Sequence, residues 1–169
     1  MNRTAFPHAL RFFTLVLFQA LILNQLNLHG YLNPYIYPLF LLLLPLQIAP
    51  WMLLLLGFAL GISIDVFTNS MGMHTAASVL LAYLRPFALN AMIPSGGYEA
   101  DDRPTIHSLG FGWFLRYTFV LIFMHHLLYF YVETFRFSNF FTTLFKVLAS
   151  TTFSVSLIIL TQYLWTPKR

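Results

Sequence analysis

Few side chains in this sequence could do chemistry, and one carboxylate stands apart from the rest. Gly57, Gly61 and Asp65 fall at i, i+4 and i+8, so on a helix they share one face. Glycines at that spacing let a second helix backbone approach closely, and Asp65 then sits at the end of the close-packed groove. Thr68 to Gly72 interrupts the apolar pattern, and Gly72-Met73-His74 opens a new helix. Asp65 has two readings. In one it contacts Arg85, a partner subunit or a ligand. In the other it is a helix-end carboxylate capping the turn from Thr68 to Gly72. His74 is either part of a site there or a polar residue at a helix start.

His125, His126 and Glu133 form the other group with chemical potential. Adjacent histidines point about 100° apart on a helix and do not chelate one ion easily. The sequence reading is therefore a pair of amphipathic histidines at the membrane interface, with no metal site. The chain has no cysteine, which excludes disulfides, thiol nucleophiles and thiolate metal sites. It shows no phosphate-binding glycine loop, dinucleotide fingerprint, serine-histidine-acid order or paired intramembrane carboxylates. Asp65 alone lacks the second acid or nucleophile that acid–base work needs, so the expectation is a protein that is not an enzyme.

These residues must be positioned by helices in lipid. The 169-residue chain is 59% hydrophobic and 8% charged, against about 25% charged for a soluble domain. Its mean hydropathy is +0.73. The net charge of +4 is scattered over helix ends, which reads as topology and not as a nucleic-acid stripe.

The apolar pattern predicts an all-α integral membrane protein with six transmembrane helices in one polytopic domain. The spans fall at about 9–28, 34–48, 50–67, 73–92, 110–132 and 140–165. The first reads as a signal anchor, since its apolar run is long and no small-residue cleavage site follows. Segment 34–48 is short and carries Pro34, Pro38 and Pro45. It fits a short tilted span or a re-entrant segment shielded by protein. Counting it as a span puts Arg3, Arg11, Arg85, Arg103, Arg116, Lys168 and Arg169 on the inner side and only Arg136 and Lys146 on the outer. That satisfies the positive-inside rule with both termini cytoplasmic. In this topology Asp65 is outer and Arg85 inner, so the two do not pair.

The chain resembles the rod shape-determining protein MreD family of bacterial inner-membrane proteins. The resemblance rests on size, on six spans and on the run Gly61-Ile62-Ser63-Ile64-Asp65, then Gly72-Met73-His74-Thr75-Ala76, then Leu80 to Arg85. The early segment Asn33 to Leu39 also looks like the family. The resemblance implies a fold similar to the substrate-binding subunits of energy-coupling-factor vitamin transporters. It implies a non-enzymatic scaffold of the cell elongation complex that binds the bitopic protein MreC. Through it the chain would act indirectly with MreB, RodA and a penicillin-binding protein in sidewall peptidoglycan synthesis and cell shape. It implies no cofactor, and it makes Gly57, Gly61, Asp65, Gly72 and His74 the partner-binding or groove-lining residues. The acidic loop Glu99 to Asp102 departs from any feature of the family. The competing expectation is a vitamin-binding transporter subunit, which the 18% aromatic content would suit.

Overall fold

Prolines and glycines set the helix boundaries. In the computed structural model, residues 5–26, 33–134 and 140–165 are described. The elements are α1 (Ala5–Leu21), a 3-10 turn (Leu23–Gln25), α2 (Leu39–Leu42), α3 (Pro50–Thr68), α4 (Met73–Ala91), α5 (Ile106–Leu109), α6 (Phe111–Thr134) and α7 (Phe140–Trp165). Among the described residues all regular structure is helical. Pro50 begins α3 at its first turn, where the missing N–H would have no partner anyway. Asn69 ends it in the left-handed conformation, with its N–H on Asp65 O. Gly72, with φ of 89°, precedes α4 in a conformation that a side chain would strain.

Among the described residues, four helices are long and apolar enough to cross a membrane: Phe6–Gln25, Pro50–Thr68, Phe111–Thr134 and Phe140–Leu164. Their outward faces carry large apolar side chains, such as Leu55, Val66, Phe141 and Phe145, all well exposed. α4 has similar length, but Arg85, Pro86 and its small polar residues dilute its hydropathy. α3 packs on α4, α4 on α6, and α6 on α7, while α1 lies against α3. Leu60, Ile64, Leu81, Phe114, Leu121 and Ile158 fill the centre.

The expected spanning helix at 34–48 is not there. Only Leu39–Leu42 is α-helical, and the chain around it is a non-helical strap whose residues 34–42 are all buried. The prolines explain the missing helix, since each removes a donor and clashes with the preceding turn. Backbone freed in this way survives at membrane depth only where protein satisfies it. Here Ser150 Oγ and Ser154 Oγ of α7 accept from the N–H groups of Asn33 and Tyr35, at 3.1 and 2.9 Å. Gln19 of α1 accepts from Ile36 N–H and donates to Pro34 O. The strap therefore bridges α1 and α7. The expected first span also ends sooner as an α-helix, at Leu21. Arg3, Arg136, Lys168 and Arg169, and with them the placement of both termini, lie outside the described residues.

Candidate functional site

Asp65 lies in the last turn of α3 and caps the start of α4. Its Oδ1 accepts from Ser70 Oγ at 2.5 Å and from His74 N–H at 3.0 Å. Its Oδ2 accepts from Thr75 N–H at 2.9 Å and Thr75 Oγ1 at 2.5 Å. The N–H groups of His74 and Thr75 are among the first-turn donors that a helix leaves without partners. A carboxylate at that end also complements the helix dipole. Each oxygen already takes two bonds, close to the capacity of an ionised carboxylate. Asp65 is thus a structural cap delivered from a neighbouring helix, and Arg85 is not its partner.

The glycines of α3 make this capping distance possible. A Cβ at Gly61 would lie 2.7 Å from His74 O and from Thr75 N, with Thr75 Cα nearer still. A Cβ at Gly57 would meet Ser78 O and Ala82 Cβ at 3.0 Å. The face that Gly57 and Gly61 share is filled by α4 of the same chain. Gly72 supplies the left-handed turn before α4, and its own Cβ position is open space.

Beneath the cap lies a polar core. His74 Nδ1 is 2.9 Å from Tyr37 Oη, and the same phenol is 2.6 Å from His125 Nε2. The phenol has one proton to give, so one imidazole accepts it and the other donates to the phenolic oxygen. His126 Nδ1–H donates to Ile122 O at 2.8 Å, which leaves Nε2 to accept from Ser154 Oγ at 3.3 Å. Ser154 in turn accepts from the strap at Tyr35. His125 and His126 are both fully buried, not interfacial as the sequence suggested. Adjacent residues on α6 reach two different elements, the strap and α7, and each satisfies a separate polar group. Tyr35 packs among the rings of His74, His126 and Tyr129, with centroids 5.1 to 5.3 Å away. Among the described residues, no three His, Cys, Asp or Glu side chains are placed to hold a metal ion.

The opposite end is organised by Arg85, which the sequence offered as a contact for Asp65 and which topology then set apart from it. It is 1% exposed. Its Nε donates to Tyr117 Oη at 2.8 Å, and its terminal nitrogens reach Leu44 O at 2.5 Å and Pro45 O at 3.3 and 3.4 Å. Tyr117 Oη passes its own proton to Leu42 O at 3.1 Å. One guanidinium, with five donors in a rigid fork, thereby holds the far end of the strap. Nearby, Trp113 Nε1 donates to Met92 O at 2.7 Å and Tyr98 Oη to Leu89 O at 2.8 Å, closing the C-terminus of α4. Burial pushes the Tyr98 phenol up from its ordinary value, so it stays a donor.

At the Asp65 end a cleft of about 490 Å³ opens between the strap, the α3–α4 turn and the end of α6. Asn24, Asn33, Tyr35, Ser70, His74 and Tyr129 are among the residues that line it. Glu133 lies at its edge and pairs with Lys146 at 2.8 Å. Of the five residues expected at a site, only His74 lines this cleft. Asp65 is one bond behind it through Ser70, and Gly57, Gly61 and Gly72 are structural. Gln19, Ser150 and Ser154, which hold the strap, were not among the residues expected at a site. The i, i+4 spacing of the two serines was the available signal, but nothing local tells a strap-binding hydroxyl from one bonded to its own helix. Comparison with family models, curated proteins and solved structures finds no match to this chain.

Proposed function

We propose that the chain is a non-enzymatic membrane scaffold of the bacterial cell elongation complex, an MreD-like protein of the inner membrane with both termini cytoplasmic. Its direct partner in this reading is a bitopic MreC-like protein, with MreB, RodA and a penicillin-binding protein reached indirectly. The observation that carries the reading is the clasp itself. The residues on which the MreD resemblance rests, Gly61, Asp65, His74 and Thr75, contact one another and not a shared reaction centre. A run devoted to fixing two helices at close range suits a rigid docking body. The strap and α4 join the four apolar helices in this reading, as six crossings like those of energy-coupling-factor substrate-binding subunits.

The cleft at the Asp65 end favours one second reading, a vitamin-binding transporter subunit, because it is large enough for a small molecule. Depletion in the native bacterium separates the two. Loss of rod shape with vitamin uptake intact supports the scaffold. Retained shape with a vitamin requirement supports the transporter subunit and refutes the scaffold.

A further inference from the structure

The lining of the cleft at the Asp65 end selects a class of molecule. Its volume of about 490 Å³ is that of a small-molecule site. Among the described residues no lysine or arginine lines it, so an anion finds no counter-charge there. The carboxylates are already matched. Glu133, the acid in the lining, holds Lys146 Nζ at 2.8 Å, and that ammonium also rests 4.7 Å from the Phe130 ring centroid. The chain's own amine thus takes the seat that a cationic ligand needs. Asp65, behind Ser70, accepts four hydrogen bonds. A charged ligand would lose water here and gain no new partner, which favours a neutral one.

What the cleft offers a neutral ligand is amide chemistry. Asn24 and Gln25 line it from the 3-10 turn, Asn33 from the start of the strap and Asn69 from the α3–α4 turn. Asn24 Oδ1 accepts from Gln19 Nε2 at 2.8 Å, so its amide NH₂ is the group left to donate. Ser70 spends its proton on Asp65 and offers only its oxygen. A side-chain amide donates and accepts from adjacent atoms, and neighbouring hydroxyls on a ligand do the same.

The aromatic side chains narrow the class further. Phe67, at the end of α3, lines the cleft and is 54% exposed. Tyr35 and Tyr129 line it too, but each is 6% exposed, and their rings meet edge to face at 5.2 Å. Among the described residues the cleft therefore has one open ring and no slot between two rings for a flat heterocycle. One apolar ring with amides around it suits a saturated ring that has a C–H face and hydroxyls at its edge. We propose that this cleft binds a neutral pyranose sugar, with the sugar's C–H face on Phe67 and its hydroxyls on the amides of Gln25, Asn33 and Asn69. The inference rests on the cleft alone, so it stands or falls apart from the scaffold reading, which depletion tests.

The test is saturation-transfer NMR on the purified full chain in lauryldimethylamine oxide, a detergent without a sugar headgroup. The probes are glucose, galactose and mannose, with choline as the rival cation and uracil as the rival flat heterocycle. A sugar site predicts that at least one hexose binds with a Kd below about 10 mM, and more tightly than choline or uracil. It also predicts a loss of about fivefold or more in at least one of Phe67→Ala and Gln25→Ala, roughly what one neutral hydrogen bond or ring contact is worth. Both side chains are exposed, so neither change opens the core. Asn90→Ala is the control, since that residue is exposed at the opposite end and lines a different cleft. Failure of all three hexoses to bind, or tighter binding of choline or uracil, would overturn the ligand class. Hexose binding in both Phe67→Ala and Gln25→Ala equal to that in Asn90→Ala would overturn the site.

Discussion

Replacing Gly61 by alanine should loosen the clasp between α3 and α4. The new Cβ would stand 2.7 Å from His74 O and Thr75 N, backbone atoms that cannot swing aside. Thr75 Cα is nearer still, so reaching ordinary contact at 3.4 Å moves the start of α4 away by roughly 1 Å. Overpacking of this kind costs about 1–3 kcal/mol. The same displacement lengthens the Asp65 bonds to His74 and Thr75, and loss of an N-terminal cap costs about 1 kcal/mol. Alanine is the better helix former by about 1 kcal/mol, which offsets part of this. The net expectation is a loss of about 2 kcal/mol. Gly57→Ala is the internal control. There the added atom meets Ser78 O and Ala82 Cβ at 3.0 Å. A shift of a few tenths of an ångström relieves it, and the gain in helix propensity roughly balances the cost. Both variants would be unfolded in mixed micelles of increasing dodecyl sulfate content, followed by far-UV circular dichroism. A Gly61→Ala protein as stable as the parent, or a Gly57→Ala protein less stable than Gly61→Ala, would refute the argument.

Three further outcomes follow from the polar contacts. Asp65→Ala should cost about 3 kcal/mol in the same titration, because it strips a charged acceptor from four donors at once; a change under about 1 kcal/mol would mean that water or another group caps α4. Ser154→Ala should cost about 1–3 kcal/mol by orphaning Tyr35 N–H and His126 Nε2. Ser156→Ala, two residues on, removes only a bond to its own helix at Thr152 O and should be near neutral. Arg85→Gln should cost about 3 kcal/mol and speed amide hydrogen exchange in α2, while Arg85→Lys recovers part of the loss; unchanged exchange there would show that the guanidinium does not hold the strap.

The helix hairpin at the centre was legible because its signals are local. Pro50, the glycine ladder, the Thr68–Gly72 break and the run after it mark both helices within a residue or two of α3 and α4. The capping role of Asp65 was legible as one of two readings, since a carboxylate eight residues before a new helix has few other uses. The strap was legible only as the second of two readings, a re-entrant segment shielded by protein. Its apolar composition matches a span and its prolines bar a long helix, but what satisfies the backbone they free is a set of donors and acceptors far away in sequence: Gln19, Arg85, Tyr117, Ser150 and Ser154. The histidines were misplaced for the same reason. Periodicity says that His125 and His126 point apart, but not that a phenol from the strap and a serine from α7 await them. α4 reads weakly as a span because its polar residues serve the interior, where hydropathy counts them as a penalty.

In the function proposed above, the clasped hairpin belongs to a scaffold. The most direct measurement is affinity purification of the tagged chain from cross-linked membranes of its native bacterium, with co-purifying proteins identified by mass spectrometry. A scaffold should bring down a bitopic MreC-like protein together with cell-wall synthases. Recovery of a transmembrane coupling protein with two ATPases, and no MreC-like chain, would contradict it.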